Sequence, residues 1–256
     1  MPGVPGMWLP EHVAAWKLVT EAVHAKKGII YAQLTHQGRC SIPQMQGLPT
    51  VSASATPWST DEKYPYPPPG ESSRVLYRDF PPIELTVAHI QKTIADHVTA
   101  AKLSIESGFD GVELHGGNGY LIEQFLNSNV NTRTDEYGGS PQKRCNRWVT
   151  WSHLCREIRS DFSKISYVHF VEARNDELVG HEVFEKGWGG RKVDISGFKD
   201  ILGDIPVISA GLWNAESVWG AVESGRVDGC VFARWFIKKW LAIERIQPSE
   251  VLRTNK

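Results

Sequence analysis

The sequence predicts an α/β protein in which about five parallel strands alternate with helices. Short apolar runs, typical of buried strands, recur along the chain. Between them lie longer segments whose apolar residues recur every three or four positions, as in amphipathic helices. This alternation favours parallel pairing with right-handed crossovers. A chain of 256 residues is long enough for one large domain, so we expect a single domain over residues 1–256.

The first half of the chain supplies two strands and two long helices. A helix is predicted over residues 11–27, followed by an apolar strand over 29–34. A second helix over 86–107 has apolar residues at helical spacing and leads to a strand over 111–114. Between the two pairs lies a long irregular stretch, 40–85, rich in Pro and Ser. A loop of that length in a compact domain is usually functional or mobile.

The second half of the chain alternates in the same way and supplies three more strands. The predicted elements are a helix over 141–162, a strand over 166–171, a short helix over 194–202, a strand over 205–210, a helix over 214–223, a strand over 227–233 and a final helix from about residue 235. The total of five strands is the basis of the predicted fold class.

Composition, charge and cysteine spacing give no reason to expect a protein that binds nucleic acid, an anionic membrane or a metal ion. A formal net charge of −1 and a pI near 6.8 offer no electrostatic reason to expect nucleic acid or an anionic membrane as partner. The four cysteines form no CxxC pair and no metal-ligand spacing, so we expect free thiols and no metal site. The sequence has no secretory signal and no apolar run of membrane-spanning length, which predicts a cytoplasmic protein.

Polar side chains follow the strand 111–114 at the point where it ends. His115, Asn118 and Tyr120 lie in a glycine-rich turn, and a helical segment and a polar loop ending at Gly139 follow them. The carboxyl ends of parallel strands face the ligand crevice in α/β proteins. The sequence therefore predicts that chemistry takes place at this turn.

The stretch FDGVELHGGNGYLIEQFLNSNVNTRTDEYGG, residues 109–139, resembles the signature of the Old Yellow Enzyme family, flavin-dependent ene-reductases built on a TIM barrel. The resemblance extends from Pro2 almost to Leu241. It implies an FMN-dependent oxidoreductase that takes hydride from NAD(P)H and reduces the activated C=C bond of an α,β-unsaturated carbonyl. It also implies a small-molecule enone as substrate.

The resemblance assigns roles to five residues in the first half of the chain. His115 and Asn118 match the pair that donates hydrogen bonds to the substrate oxygen, where negative charge develops during hydride addition. Tyr120 matches the family's proton donor to the α-carbon. Gln33 matches a glutamine that pairs with the pyrimidine edge of the flavin. Thr35 stands where some members carry a tryptophan that narrows the substrate pocket.

The resemblance places the phosphate of FMN at Gly211 and Arg234, at the ends of the last two strands. Two residues depart from the family pattern, because Leu212 and Ala233 are bulkier than their usual counterparts. Added side chains where the backbone must approach a phosphate weaken binding. Arg39 has two open interpretations, as a site residue or as a surface salt-bridge partner.

Three of the family's eight strands have no counterpart in the sequence. The resemblance begins in the loop after the family's second strand, and one strand–helix unit is absent between residues 162 and 166. We therefore expect an incomplete TIM (β/α)8 barrel, truncated at its N-terminus. Five strands have no established way to close around a filled core, and open sheet edges predict self-association.

Two functional hypotheses remain open from the sequence, and a third has little support. The first is an FMN-dependent ene-reductase. A role in fungal secondary metabolism is a further hypothesis, for which the sequence contains no motif. The alternative is a catalytically inactive, truncated remnant with impaired flavin binding, because both the missing first and fifth strands contact flavin in the family. The third is a hydrolase that uses Glu113 and Glu123, for which no carboxylate spacing is fixed.

Overall fold

The computed structural model describes residues 5–139, 147–162, 164–172, 195–211, 213 and 217–232. The chain divides into two compact units, Met1–Arg147 and Trp148–Lys256. Whether they form the single predicted domain is not tested, and that expectation stays a prediction.

The first unit contains a two-stranded parallel sheet, a second small parallel pair and the helices around them. Its elements in chain order are α1 Pro10–His24, β1 Tyr31–Leu34, α2 Pro43–Gln46, β2 Val51–Ser52, a 3₁₀ turn Tyr77–Asp79, β3 Ile83–Glu84, α3 Val87–Glu106, β4 Gly111–Leu114 and α4 Leu121–Leu126. Strand β1 pairs with β4 and places Gln33 opposite Glu113. Strand β2 pairs with β3. The predicted loop 40–85 thus contains short elements of its own.

Helix α3 packs on the β1–β4 sheet, and helix α1 packs on α3. Met7, Ala32 and Phe109 are the buried residues of this core. The Thr20 hydroxyl of α1 donates to the Ser107 carbonyl oxygen at 2.7 Å and fixes the end of α3. The side-chain oxygen of Thr86 accepts from the His89 backbone N–H and caps the start of α3.

Much of the apolar surface on these two helices lies in solvent. Leu18 of α1 is 71% exposed, and Ile94 and Val98 of α3 are 52% and 49% exposed. A two-stranded sheet is too narrow to cover two long helices, and the buried residues are Val13 and Thr20 in α1 and Ile90 and Ser104 in α3. Helical spacing therefore predicts the helices correctly but overstates how much of each apolar face is buried.

The second unit contains a three-stranded parallel sheet with helices between its strands. Its elements are α5 Arg147–Asp161, β5 Val168–Val171, α6 Ser196–Leu202, β6 Val207–Ala210, α7 Ser217–Glu223 and β7 Gly229–Val231. The strand order is β5-β6-β7. A buried cluster that includes Phe198, Leu202 and Val207 joins the helices to the sheet.

The five main strands all lie within their predicted ranges, and all are paired in parallel. Between α5 and β5, the described residues 162 and 164–167 form no strand, in agreement with the predicted absence of a strand–helix unit there. The predicted final helix from residue 235 lies outside the described residues. Within the described ranges, no helix combines the length and the apolar character that a bilayer span requires.

An aspartate before a strand fixes the strand register in each unit. The Asp110 carboxylate accepts from His24 Nε2 at 3.0 Å and from the Ile30 backbone N–H at 2.8 Å. The Asp228 carboxylate accepts from Lys199 Nζ and from the Val207 backbone N–H, both at 2.8 Å. The hydrogen bond from Lys199, together with the one from Val207, lowers the pKa of Asp228 below its usual 3.8.

The lowered pKa predicts a stability change in acid. Because the folded Asp228 holds its proton less tightly than the unfolded one, its contribution is complete above about pH 4 and is lost as the pH falls through the folded pKa. In Asp228→Asn we expect a lower melting temperature at neutral pH and a shallower fall toward pH 2. Thermal melts across this range check it, and parallel curves for the two proteins would contradict it.

Candidate active site

The loops that follow β1 and β4 start at the same edge of the sheet. Leu34 lies opposite Leu114 in the parallel register, and the His115 backbone N–H donates to the Leu34 carbonyl oxygen at 2.9 Å. Thr35 and His115 are thus the first residues beyond the two strand ends. The sequence prediction that chemistry-bearing residues follow the strand ends therefore agrees with the backbone of the first unit.

The glycine-rich turn brings His115, Asn118 and Tyr120 together. Asn118 adopts the left-handed conformation with φ 58°, which Asn tolerates better than most residues. Its Nδ2 lies 3.3 Å from His115 Nε2. The rings of His115 and Tyr120 meet edge to face, with centroids 5.0 Å apart. Three polar groups separated by two or fewer residues thus form one cluster at the end of β4.

Gln33 and Glu113 are cross-strand neighbours beside this cluster. The Gln33 side-chain amide donates to the Glu113 carboxylate, and the Gln33 side chain is exposed. Glu123 has a different contact, since its carboxylate accepts from the Gly119 backbone N–H at 2.6 Å. The two carboxylates of the hydrolase hypothesis therefore have separate partners in the first unit.

Gln124 is a buried residue of this site that the sequence analysis did not single out. Its side-chain amide nitrogen donates to the carbonyl oxygens of Gly119 at 2.7 Å and Gln37 at 3.1 Å. Its oxygen accepts from the Arg39 backbone N–H at 3.2 Å and from the Ser52 hydroxyl at 3.0 Å. The sequence feature that could have identified Gln124 is its position three residues after Leu121, which places a polar side chain on the apolar face of α4.

Arg39 is held by carbonyl oxygens and an indole ring. Its Nη1 donates to the Thr56 carbonyl oxygen at 3.0 Å, and its guanidinium lies 4.7 Å from the Trp58 ring centroid. Burial lowers the pKa of Arg39 from its ordinary value. Arg39 therefore links the start of the long 40–85 segment to the Thr56–Trp58 region.

Cys40 lies behind the glycine-rich turn. Its Sγ is 3.1 Å from the Gly119 carbonyl oxygen, and burial raises the pKa of the thiol to about 12. The thiol is thus protonated at neutral pH and donates to that carbonyl. Cys40, Cys155 and Cys230 are free, as expected, and Cys145 lies outside the described residues.

A second missed residue, Arg133, anchors the polar loop that ends the motif. Its guanidinium Nη1 donates to the carbonyl oxygens of Ala53 at 2.9 Å and Leu85 at 2.6 Å. It also pairs with Asp135, whose hydrogen bond raises the pKa of Arg133. Only 3% of the Arg133 side chain is exposed. The loop after α4 is therefore joined to the segments around β2 and β3.

In the second unit, a buried carboxylate lies at the end of β5. Glu172 is 2% exposed, accepts from the Ser209 hydroxyl at 2.5 Å and pairs with Arg226. Trp213 Nε1 donates to the same hydroxyl oxygen at 3.2 Å. Gly211 follows β6 with φ 148°, and a Cβ there would lie 2.2 Å from the Glu172 carbonyl oxygen. This position therefore requires glycine.

The structure places five of the seven predicted site residues in the first unit and one in the second. Thr35, Gln33 and the His115–Asn118–Tyr120 cluster share one strand edge in the first unit, whereas Gly211 belongs to the second. The remaining predicted residue, Arg234, lies outside the described residues, as do Leu212 and Ala233.

Comparisons with known proteins decide the family. A profile described as the NADH:flavin oxidoreductase / NADH oxidase family matches residues 1–167. Flavin oxidoreductase hxnT of Emericella nidulans is 33% identical over 280 residues, which cover 92% of this chain and 70% of that protein. 12-Oxophytodienoate reductase 2 of Arabidopsis thaliana is 43% identical over 262 residues, which cover 92% of this chain and 68% of that protein. The chain belongs to the NADH:flavin oxidoreductase / NADH oxidase family.

Solved structures agree on the fold of this flavin oxidoreductase. An old yellow enzyme homologue from Zymomonas mobilis matches with a TM-score of 0.72 and 24% identity, over 95% of this chain and 75% of that one. The predicted fold class, an incomplete TIM barrel of about five parallel strands, is confirmed. The resemblance to the Old Yellow Enzyme family is confirmed as well.

The relatives also contain residues that this flavin oxidoreductase lacks. Each of the two alignments is longer than the 256 residues of the chain, so parts of each relative have no counterpart here. The predicted internal gap is therefore consistent with both the alignments and the short connection between α5 and β5.

Family membership confirms the predicted cofactors, FMN with NAD(P)H as hydride donor. Among the described residues, the fit to FMN is at the Gln33 side chain. The exposed Gln33 amide offers a donor and an acceptor together, as the pyrimidine edge of a flavin requires.

Proposed function

We propose that this flavin oxidoreductase is an ene-reductase that reduces the activated C=C bond of an α,β-unsaturated carbonyl with hydride from NAD(P)H. The observation that carries the proposal is the cluster of His115, Asn118 and Tyr120 at the end of β4. When bound, FMN supplies the hydride that the β-carbon of the substrate accepts. The protein must then stabilise charge on the carbonyl oxygen and protonate the α-carbon.

His115 and Asn118 supply the first of these requirements. Two nitrogens 3.3 Å apart can both lie within hydrogen-bonding distance of one oxygen. Negative charge builds up on the carbonyl oxygen as hydride reaches the β-carbon, and donors already held in place stabilise it without reorganisation. The left-handed backbone at Asn118 keeps its amide beside the imidazole.

Tyr120 supplies the second requirement, because a phenol can donate its proton at neutral pH. Its edge-to-face contact with His115 keeps the hydroxyl-bearing ring in the same cluster as the two donors. We assign Gln33 to the flavin ring, Thr35 to the substrate pocket, and Gly211 and Arg234 to the FMN phosphate. The family match over residues 1–167 and the positions of Gln33 in β1 and Thr35 directly after it support the first two assignments, and the position of Gly211 directly after β6 supports the third.

The function is tested by loading the full chain with FMN and measuring NADPH and NADH oxidation with and without 2-cyclohexenone. We expect oxidation that depends on the enone, with a saturated ketone as product. A folded, FMN-loaded protein that oxidises neither cofactor in the presence of enone would overturn the proposal.

Phenol binding tests the donor pair separately from turnover. The FMN-loaded protein is expected to bind a phenolate and show a long-wavelength charge-transfer band. Asn118→Ala leaves one donor missing and should weaken phenolate binding by about 1–3 kcal/mol. Asn129→Ala, an exposed asparagine beyond α4, is the matched control and should bind phenolate as the unaltered protein does. If Asn118→Ala bound phenolate with unchanged affinity, Asn118 would have no part in substrate binding.

Exposed apolar residues at two strand ends favour self-association, which is the behaviour expected of the second candidate, an inactive truncated remnant. Leu114 at the end of β4 is 58% exposed and Val171 at the end of β5 is 52% exposed. Apolar strand residues in solvent favour association, so we keep the prediction that the chain self-associates. Light scattering during size-exclusion chromatography tests it, and a monodisperse monomer at high concentration would contradict it.

A further inference from the structure

We propose that Gln124 is a positioning residue for the His115–Asn118–Tyr120 cluster, an inference that rests on the proposed function. Gln124 is 2% exposed and lies on α4, directly after the glycine-rich turn. It is not expected to touch substrate. It acts on the cluster through the backbone that carries the cluster.

The contact that matters most is with Gly119, which lies between Asn118 and Tyr120. The Gly119 carbonyl oxygen accepts from Gln124 Nε2 at 2.7 Å. The Gly119 backbone N–H donates to Glu123 at 2.6 Å. Gly119 has φ 71°, a conformation in which glycine alone is unstrained. Hydrogen bonds thus fix the peptide groups on both sides of Gly119, and these groups set the directions of the Asn118 and Tyr120 side chains.

Gln124 also binds the loop that follows β1. Its amide donates to the Gln37 carbonyl oxygen and accepts from the Arg39 backbone N–H. Gly38 lies between these contacts with φ 56°, and a Cβ there would lie 2.1 Å from Gln124 Oε1. One amide therefore fixes the Thr35–Arg39 loop relative to the Gly119 turn. Because both loops leave the same sheet edge, Gln124 sets the distance between the substrate-binding groups they carry.

The test is Gln124→Met, which removes these hydrogen bonds while keeping a side chain of similar volume. The matched control is Asn131→Leu. Asn131 is a 1% exposed amide of the same unit that donates to the Phe125 and Tyr137 carbonyl oxygens at 2.8 and 2.9 Å. Both variants should melt at lower temperature. Gln124→Met leaves the Arg39 N–H and the buried Ser52 hydroxyl without their acceptor, and Asn131→Leu leaves the Phe125 and Tyr137 carbonyl oxygens without their side-chain donor.

The deciding readout is the His115 ring signal in NMR spectra of the full chain, labelled at histidine Cε1 and measured without any cofactor. The Tyr120 ring shifts this signal through the edge-to-face contact. We expect the signal to move toward the value of free histidine in Gln124→Met and to stay in place in Asn131→Leu. An unchanged His115 signal in folded Gln124→Met would overturn the proposal. Should that variant not fold, Gly38→Ala provides the same test, because its methyl group displaces the Gln124 amide.

Turnover supplies a second, separate readout. A displacement of about 1 Å can cost about 100-fold in rate, so kcat for enone reduction should fall by about that factor in Gln124→Met and by much less in Asn131→Leu. Equal losses in the two variants would count against positioning. Because the NMR readout needs neither FMN nor substrate, a chain without enone reductase activity would contradict the proposed function and leave the structural role of Gln124 testable.

Discussion

We expect replacement of Tyr120 by Phe to slow the reduction of enone by the flavin about 10²–10⁴-fold and to leave the reduction of bound flavin by NAD(P)H nearly unchanged. The substitution removes one hydroxyl from the cluster and keeps the ring that meets His115 edge to face. The α-carbon then has no positioned proton donor, whereas the hydride donor is unaffected. Stopped-flow absorbance measures the two half-reactions separately.

The matched control for this substitution is Tyr66→Phe. Tyr66 lies in the long 40–85 segment and is 53% exposed, so the loss of its hydroxyl should leave both half-reactions as they are. If Tyr120→Phe reduced enone at the original rate, Tyr120 would have no part in proton transfer. Slowing of both half-reactions alike would instead indicate a disturbed flavin site.

The largest expected effect on stability is that of Arg133→Met. This change removes a buried guanidinium, leaves the Ala53 and Leu85 carbonyl oxygens without that donor and removes the ion pair with Asp135. Each buried carbonyl oxygen left without its donor costs about 1–3 kcal/mol. For two such oxygens this is a large part of the about 5–15 kcal/mol that stabilises a typical domain. Urea denaturation followed by circular dichroism measures the loss.

Arg78→Met is the control that distinguishes the loss of buried contacts from the loss of a positive charge. Arg78 pairs with Asp61, but 47% and 77% of their side chains are exposed. Exposed pairs contribute about 0–1 kcal/mol, so this variant should unfold close to the original midpoint. Equal destabilisation by the two substitutions would show that the buried contacts of Arg133 add nothing beyond its charge.

The strands and the His115–Asn118–Tyr120 cluster could be predicted from the sequence because their signals are local. The strand Gly111–Leu114 is a short apolar run, and the polar turn follows it directly. Ligands bind at the carboxyl ends of parallel strands, so the apolar run Gly111–Leu114 was enough to predict the position of the cluster. The family motif then added the chemistry.

Gln124 and Arg133 were missed because their roles depend on contacts with residues far along the chain. Gln124 binds Gln37, which is 87 residues away, and Arg133 binds Ala53, which is 80 residues away. No local spacing encodes such contacts. The two-residue strands Val51–Ser52 and Ile83–Glu84 were missed for a related reason, since two residues are too few to show a period.

An FMN titration of the full 256-residue chain, followed by quenching of flavin fluorescence, tests the central claim most directly. The ene-reductase account predicts stoichiometric binding with a Kd of roughly 1 μM or lower, equivalent to about −8 kcal/mol. Gln33→Leu should weaken that binding, because it removes the amide proposed to pair with the flavin ring. A protein that circular dichroism shows to be folded, and that does not quench flavin fluorescence even at about 1 mM, would contradict the account and support the inactive remnant.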